Sequence, residues 1–390
     1  MESKLPKWPQ FTSKEVDIAS SILKSGKVNY WTGNEGKSFE KEYADYCQTK
    51  FSIALSNGSV ALTAAYKSIG IKEGDEIIMS SRTFIATASS AVLLGAIPIF
   101  ADVEKETGNI STKKIEGLIS KRTKAIVAVH LGGWPADMVK INELAKEYNL
   151  YVIEDCAQAH GAQIDGVSVG SFGNVAAWSF CQDKIMTTAG EGGMVTTSNQ
   201  EIWNYIWSYK DHGKDFNTVF KKNHPPGYRW LHNTFGTNYR MTEIQSGIGR
   251  YQLTQLKNWN KIRTYNAQIL TSILSEINSV HVPLPPKNIK HAWYKFYIHI
   301  DRDSLLEDWS RDRIVNEINE TGFPVFTGSC SEIYMENCFK SKNMNPEKRL
   351  PIAKELGEIS IMLLVHPTIN KEKIIQYGEL VKLYLKKATR

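Results

Sequence analysis

Lys184 lies in WSFCQDKIMTTAGEGGMV (178–195), in a polar turn between two apolar runs and just ahead of the glycine-rich GEGG at 190–193. A lysine in a restricted pocket sheds its proton readily and becomes a Schiff-base nucleophile, whereas one in an open loop is merely solvated. Asp155 closes an apolar run in VIEDCAQAHG (152–161), where a carboxylate is costly unless something answers its charge. It would suit holding a heteroaromatic nitrogen protonated; capping a helix or bridging to an arginine would occupy it equally well. In SNGSVALTAAYKSIG (56–70) a strand gives way to a helix at Gly58 and Ser59. Glycine permits close backbone approach, serine adds a hydroxyl, and the helix start offers free N–H groups and the positive end of its dipole. That is a phosphate site by construction, although an ordinary capped helix would use Asn57 and Ser59 for its own backbone. Ser179, ending the strand before Lys184, offers another hydroxyl.

These residues need elements to hold them. FSIALS (51–56), DEIIMSS (75–81), AIPIFAD (96–102), KAIVAVHL (124–131), LYVIEDCA (150–157), VAAWSF (175–180) and GGMVTTS (192–198) read as strands. Between the fourth and fifth, Met138, Ile141, Leu144, Ala145 and Tyr148 share one helical face. Strand, helix and strand in succession form a βαβ unit, so a largely parallel, doubly wound sheet is expected, with function at the C-terminal strand ends. KDHGKDFNTVFKKNHPPGYRW (210–230) reads as a long surface loop, including Pro225-Pro226-Gly227. A long helix is predicted over roughly 241–275, and AWYKFYIHI (292–300) as a further strand after the proline-rich VPLPP. The expected division is a large domain over 1–257 and a smaller C-terminal α/β domain over 258–390.

Composition narrows the alternatives. The chain has 390 residues, 42% hydrophobic and 23% charged, which excludes dominant disorder and leaves ample material for a core. No apolar run is long enough to span a bilayer, and the N-terminus lacks an apolar signal core, so a cytoplasmic protein is expected. Five cysteines, without CxxC spacing, read as reduced thiols rather than a disulfide frame or zinc site. A net charge of +6, spread along the chain, argues against nucleic acid. The histidines show no metal spacing, so no metal is expected. GVSVG (166–170) mimics a nucleophile elbow, but GSFG and a strand follow it where a helix should. GEGG is not GxGxxG and lacks a dinucleotide-binding context.

The order of phosphate-type helix start, strand-end Asp155 and Lys184 with its glycine-rich turn matches pyridoxal phosphate chemistry. That cofactor needs a phosphate anchor, an acid opposite its ring nitrogen, an aromatic cover and a lysine for its aldehyde. Phe84, in SRTFIATASSA (81–91), supplies the aromatic. Together with WTGNEGKSFEKEYADY (31–46), TNYRMTEIQSGIGRYQL (237–253) and HAWYKFYIHI (291–300), these motifs make the chain resemble the DegT/DnrJ/EryC1/StrS family of sugar aminotransferases. The resemblance covers nearly the whole chain and implies a fold type I pyridoxal-phosphate transferase. In that α/β fold, like that of aspartate aminotransferase, a mixed, mostly parallel sheet carries a smaller C-terminal domain.

By that resemblance, Lys184 forms the Schiff base and shuttles the proton, Asp155 pairs with the pyridinium nitrogen, and Gln158 bonds the ring hydroxyl. Phe84 stacks on the ring, and Gly58, Ser59 and Ser179 take the phosphate. Asn238 reaches the phosphate of a neighbouring subunit, which implies a homodimer with shared active sites. Trp31, Thr32, His160 and His291 are candidates for contact with the substrate. Relatives often read VHLYG where this chain has Val129-His130-Leu131-Gly132-Gly133, so Trp134 is expected to replace the missing aromatic. The implied reaction moves an amino group from L-glutamate to a nucleotide-linked keto-6-deoxy sugar, at C4 of a 4-keto-6-deoxyhexose, for O-antigen or another surface glycan. A 3-keto substrate is the alternative, as is a sugar dehydratase of the same fold. Such dehydratases carry histidine at the lysine position, and Lys184 argues against that.

Overall fold

In the computed structural model, residues 3–224 and 226–390 are described; Pro225 of the Pro225-Pro226-Gly227 segment lies outside them. The first strands are β1 (Phe51–Leu55), β2 (Glu76–Ser80), β3 (Ile97–Ala101), β4 (Thr123–Val129) and β5 (Tyr151–Asp155). Two short strands follow, β6 (Gln163–Ile164) and β7 (Val167–Ser168), then β8 (Val175–Ser179) and β9 (Gly193–Thr197). Later come β10 (Val280–His281), β11 (Ile289–Lys290), β12 (Phe296–Ile300) and β13 (Ser360–Leu363).

Seven of them form one sheet in the order β1-β9-β8-β5-β4-β2-β3. Pairings are parallel from β3 through to β8, and β9 runs against both its neighbours. Because side chains alternate along a strand, each strand feeds two cores. Ile77, Met79, Val127 and Ile153 pack with Ala61, Ala64 and Ala65 of the Gly58–Ser68 helix. Their neighbours Ile78, Ile126, Ala128 and Val152 pack on the other face with Met138, Ile141 and Ala145 of the Met138–Glu147 helix. Helices on both faces bury both sides, which is why these strands read as continuous apolar runs.

The Glu243–Leu274 helix begins with a capping box between Thr242 and Gln245. A division at 258 falls inside this helix. Leu256 packs in the core beside the large sheet, whereas Ala267, Leu270 and Leu274 join a cluster around the three-stranded sheet β10-β12-β13. Two readings of irregular segments need correction. The expected loop at 210–230 contains a helix, Phe216–Phe220, capped by Asp215 and packed through Phe216 against Trp203 and Trp207. The strand expected over 292–300 is regular only from Phe296. Before it, the amides of Ala292 and Lys295 donate to the carbonyls of Gly133 and Gly132 at 2.9 and 3.2 Å, and Trp293 sits in the left-handed region at φ 50°. No helix among the described residues is long and apolar enough to cross a membrane.

Candidate active site

The C-terminal ends of β5 and β8, the start of the Gly58–Ser68 helix and the 292–295 loop enclose one open cavity of about 1850 Å³. Lys184, Asp155, Gln158, Gly58, Ser59, Phe84 and Ser179 all line it. The helix start is tightly made. Asn57 caps it, its Oδ1 accepting from the Val60 amide at 3.0 Å, which leaves the first N–H groups facing the cavity. Gly58 is packed so closely on β8 that a β-carbon there would lie 2.7 Å from Ser179 Cβ. Ser179 Oγ accepts from the Cys181 amide at 3.3 Å, so its own proton is free to donate into the cavity.

Asp155 ends β5, 6% exposed. Burial raises its pKa, and a hydrogen bond from Thr87 Oγ1 at 2.8 Å, the Ala157 amide at 3.2 Å and the charge of Lys184 hold it down. Thr87 is itself paired with Thr83 at 2.9 Å. Gln158 Oε1 accepts from the Gly132 amide at 2.7 Å, which fixes the side chain and leaves its NH₂ as the donor. Lys184 Nζ lies 3.4 Å from Tyr294 Oη and 3.8 Å from Asp183 Oδ1, and Tyr294 donates to Asp183. The Lys184 carbonyl accepts from the Trp8 indole at 2.8 Å, which ties the N-terminal segment to the turn. Phe84 stands on the cavity wall with 67% of its surface exposed.

An anion cradle, a buried acid and an amine thus meet in one cleft, the donor set that pyridoxal phosphate requires. The match of the DegT/DnrJ/EryC1/StrS aminotransferase family model extends over residues 9–382.

The chain belongs to the DegT/DnrJ/EryC1/StrS aminotransferase family.

As a member, it is a pyridoxal-phosphate-dependent sugar aminotransferase. The X-ray structure of an aminotransferase from Psychrobacter cryohalolentis is 48% identical, with a TM-score of 0.97 over 98% of this chain and 99% of that one. A GDP-perosamine synthase of Escherichia coli O157:H7 is 34% identical over 95% of each chain. A UDP-N-acetyl-3-dehydro-alpha-D-glucosamine 3-aminotransferase of Acidithiobacillus ferrooxidans is 32% identical, covering 95% of this chain and 91% of that protein.

Other candidates from the sequence fall outside this DegT-family cavity. His160 does not line it. The Cys156–Ala159 turn carries its ring beneath β8, where Nε2 donates to the Ser179 carbonyl at 2.9 Å and Nδ1 accepts from Tyr43 at 2.8 Å. Burial pushes its pKa down to about 3, so it supports the strand as a neutral ring. His291 is also buried, stacked on Trp293, and opens on a separate small cavity. Trp134 faces that same small cavity, and Tyr297, not Trp134, fills the space beside Gly132. Trp31 donates to Asp211 Oδ2 at 2.5 Å and stacks on Phe220, with Thr32 exposed beside it. Asn238 is exposed, its Oδ1 accepting from the Arg240 amide at 3.3 Å. Neither Trp31, Thr32 nor Asn238 reaches the cavity of its own chain.

Among the described residues, His130, Glu154 and Cys156 place ligand atoms within 4.8 Å of one another. Glu154 is already committed to His130 Nε2 and to the amides of Gly170, Phe172 and Gly173 at 2.7–3.0 Å, which explains the group without an ion. Sequence reading passed over Thr87, Asp183, Tyr294 and Lys295. Thr87 lies one helical turn beyond Phe84, a spacing that places both at one helix start. Lys295, lodged between aromatics in WYKFY, was the signal for a cation held in an apolar wall; burial pushes its pKa down to about 8.

Proposed function

We propose that the enzyme transfers the amino group of L-glutamate to a nucleotide-linked keto-6-deoxy sugar, at C4 of a 4-keto-6-deoxyhexose. It works in the cytoplasm as a homodimer and supplies an amino sugar for a surface glycan. Pyridoxal 5′-phosphate, when bound, offers an electron sink for charge developing at the substrate carbon and carries the amino group between half-reactions. Gly58 and Ser59 give N–H groups to its phosphate, and Ser59 and Ser179 their hydroxyls. Asp155 keeps a proton on the ring nitrogen, and Gln158 donates to the ring hydroxyl through its free NH₂. Phe84 covers one face of the ring. Lys184 holds the cofactor and moves the proton at the reacting carbon, with the Tyr294–Asp183 pair beside it. Asn238 of each chain serves the phosphate site of the second copy.

One observation carries this reading: a single cavity of about 1850 Å³ holds the amine, the acid and the helix start together. Sites for small ligands occupy roughly 300–1,000 Å³, so this one has space for a bulky nucleotide sugar beside the cofactor. A 3-keto sugar is the second reading, favoured by the Acidithiobacillus relative. The test is a spectrum of the purified enzyme with cofactor, taken before glutamate, after it, and after UDP-, dTDP- and GDP-linked keto sugars in turn. Glutamate should change the cofactor absorbance and one sugar should restore it; NMR of that product gives the aminated carbon. A spectrum indifferent to glutamate and to every sugar rejects the proposal.

A further inference from the structure

Arg263 belongs to the Glu243–Leu274 helix and is 1% exposed. It does not line the large cavity, so it acts on anything bound there only through other residues. Among the described residues no carboxylate pairs with it, and its Nε and Nη2 find no acceptor. Burial pushes its pKa down to about 9, which leaves the charge in place at neutral pH. A buried cation with so few partners is costly, and an apolar side chain of similar volume would fill the space at less cost.

What the guanidinium does hold is the wall around Lys184. Nη1 donates to the carbonyls of Trp293 and Tyr294 at 3.3 and 3.4 Å. Trp293 stands in the left-handed region at φ 50°, a strained place for a bulky residue that persists only where its surroundings enforce it. The enforcement comes from two sides. The amides of Ala292 and Lys295 are bonded to Gly133 and Gly132, and the two carbonyls between them to Arg263. Tyr294, set in this way, brings its hydroxyl within 3.4 Å of Lys184 Nζ. The same guanidinium lies 5.2 Å from the centre of the Trp8 ring, which packs edge-on against Trp259 one helical turn earlier. The Trp8 indole donates to the Lys184 carbonyl at 2.8 Å. One contact on the amine of Lys184 and one on its backbone therefore lead back to a single buried charge.

We propose that Arg263 is a positioning residue for Lys184, acting through the backbone of Tyr294 and the ring of Trp8. This role rests on the glutamate reaction proposed above, in which Lys184 takes the proton from the glutamate α-carbon. Proton transfer depends steeply on placement, and an error of about 1 Å can cost about 100-fold in rate. Arg263 fixes that placement from outside the cavity, so its loss falls on the transfer and not on substrate binding.

The test uses the holoenzyme and L-glutamate deuterated at the α-carbon. In Arg263→Met, kcat should fall about ten- to a hundred-fold with KM little changed. The deuterium isotope effect on kcat should rise, because transfer from the α-carbon slows relative to the other steps. The cofactor band of the resting enzyme should lose circular dichroism at unchanged absorbance, as expected when Lys184 is held less firmly. Arg263→Lys, which keeps the charge and a donor, should recover part of each change. An Arg263→Met enzyme with the wild-type isotope effect and dichroism overturns the proposal even where its melting temperature drops, since a purely structural role predicts that. So does a loss confined to KM. Should neither Arg263 variant fold, Trp8→Phe decides: it keeps a ring over the guanidinium and loses the bond to the Lys184 carbonyl. Wild-type isotope effect and dichroism in that variant overturn the proposal. A wild-type enzyme whose cofactor band ignores glutamate rejects the glutamate reaction itself, and this role falls with it.

Discussion

Thr87 Oγ1 donates a hydrogen bond to Asp155 Oδ2 at 2.8 Å. This bond opposes the burial that raises the pKa of Asp155, and so favours the ionised carboxylate the proposed ring-nitrogen contact requires. A hydrogen bond to a charged group contributes about 1.5–3 kcal/mol. Thr87→Val should raise the acid limb of the kcat/KM profile in pH and weaken cofactor binding roughly ten-fold or more. Thr87→Ser should restore both. An unmoved acid limb in the valine variant would separate Thr87 from the function of Asp155.

Lys184→Ala removes the amine from the cleft without disturbing the strands on either side. Positioned proton transfer alone is worth about 10²–10⁴-fold, and the attachment of cofactor is lost in addition. Turnover should fall beyond measurement while cofactor still binds non-covalently, released by dialysis faster than from wild type. Wild-type turnover in this variant would sink the aminotransferase reading.

Gly58→Ala tests the helix start. The added β-carbon would sit 2.7 Å from Ser179 Cβ and 3.3 Å from its Cα, and a backbone neighbour cannot swing aside. Overpacking of this kind costs about 1–3 kcal/mol, spent here on displacing the N–H groups offered to phosphate. Cofactor affinity, followed by quenching of tryptophan fluorescence, should drop about ten-fold or more. An unchanged dissociation constant would mean that phosphate binds elsewhere.

The seven-stranded sheet was legible because strands buried on both faces leave unbroken apolar runs, as in EIIMS and IVAV. Asp155 was legible because it interrupts such a run at a strand's C-terminal end, and Lys184 because it stands in a polar turn just ahead of the glycine-rich GEGG. His160 was misjudged because nearness in sequence to Asp155 says nothing of direction: the tight turn from Cys156 to Ala159 sends its ring under β8. Tyr294 and Lys295 were hidden for a different reason. Their loop is shaped by amides bonded to Gly132 and Gly133, a long-range pairing that leaves no local periodicity. What fills the space beside Gly132 was likewise a tertiary matter, settled by Tyr297 from β12.

Lys295 faces the cleft as a half-hidden cation whose pKa burial pushes down to about 8, with Asp183 opposing. Its charge is therefore present at neutral pH and lost as pH rises through 8. Both proposed substrates are anions, so Lys295→Gln should raise the KM for at least one of them several-fold with a smaller change in kcat. In the wild type the same KM should climb above about pH 8, and the variant should lack that climb. Equal KM values for both proteins across this range would remove Lys295 from substrate binding.

His160, His291, His299 and His366 are held neutral, burial pushing the pKa of each down to about 3. In the unfolded chain each titrates near 6.5. Between these values the unfolded state binds protons that the folded state refuses, so stability is complete above about pH 6.5 and declines as pH falls below it. Each ring contributes at most about 1.4 kcal/mol per pH unit in that window. Asp155 and Glu243 act in the opposite sense, because a carboxyl whose pKa burial raises is relieved by protonation. Four rings outweigh two carboxyls, and urea midpoints should descend from about pH 7 to pH 5. His160→Gln, which cannot titrate, should flatten that descent by about one proton's worth. A midpoint that holds level or rises toward pH 5 would show that these rings are protonated in the folded state.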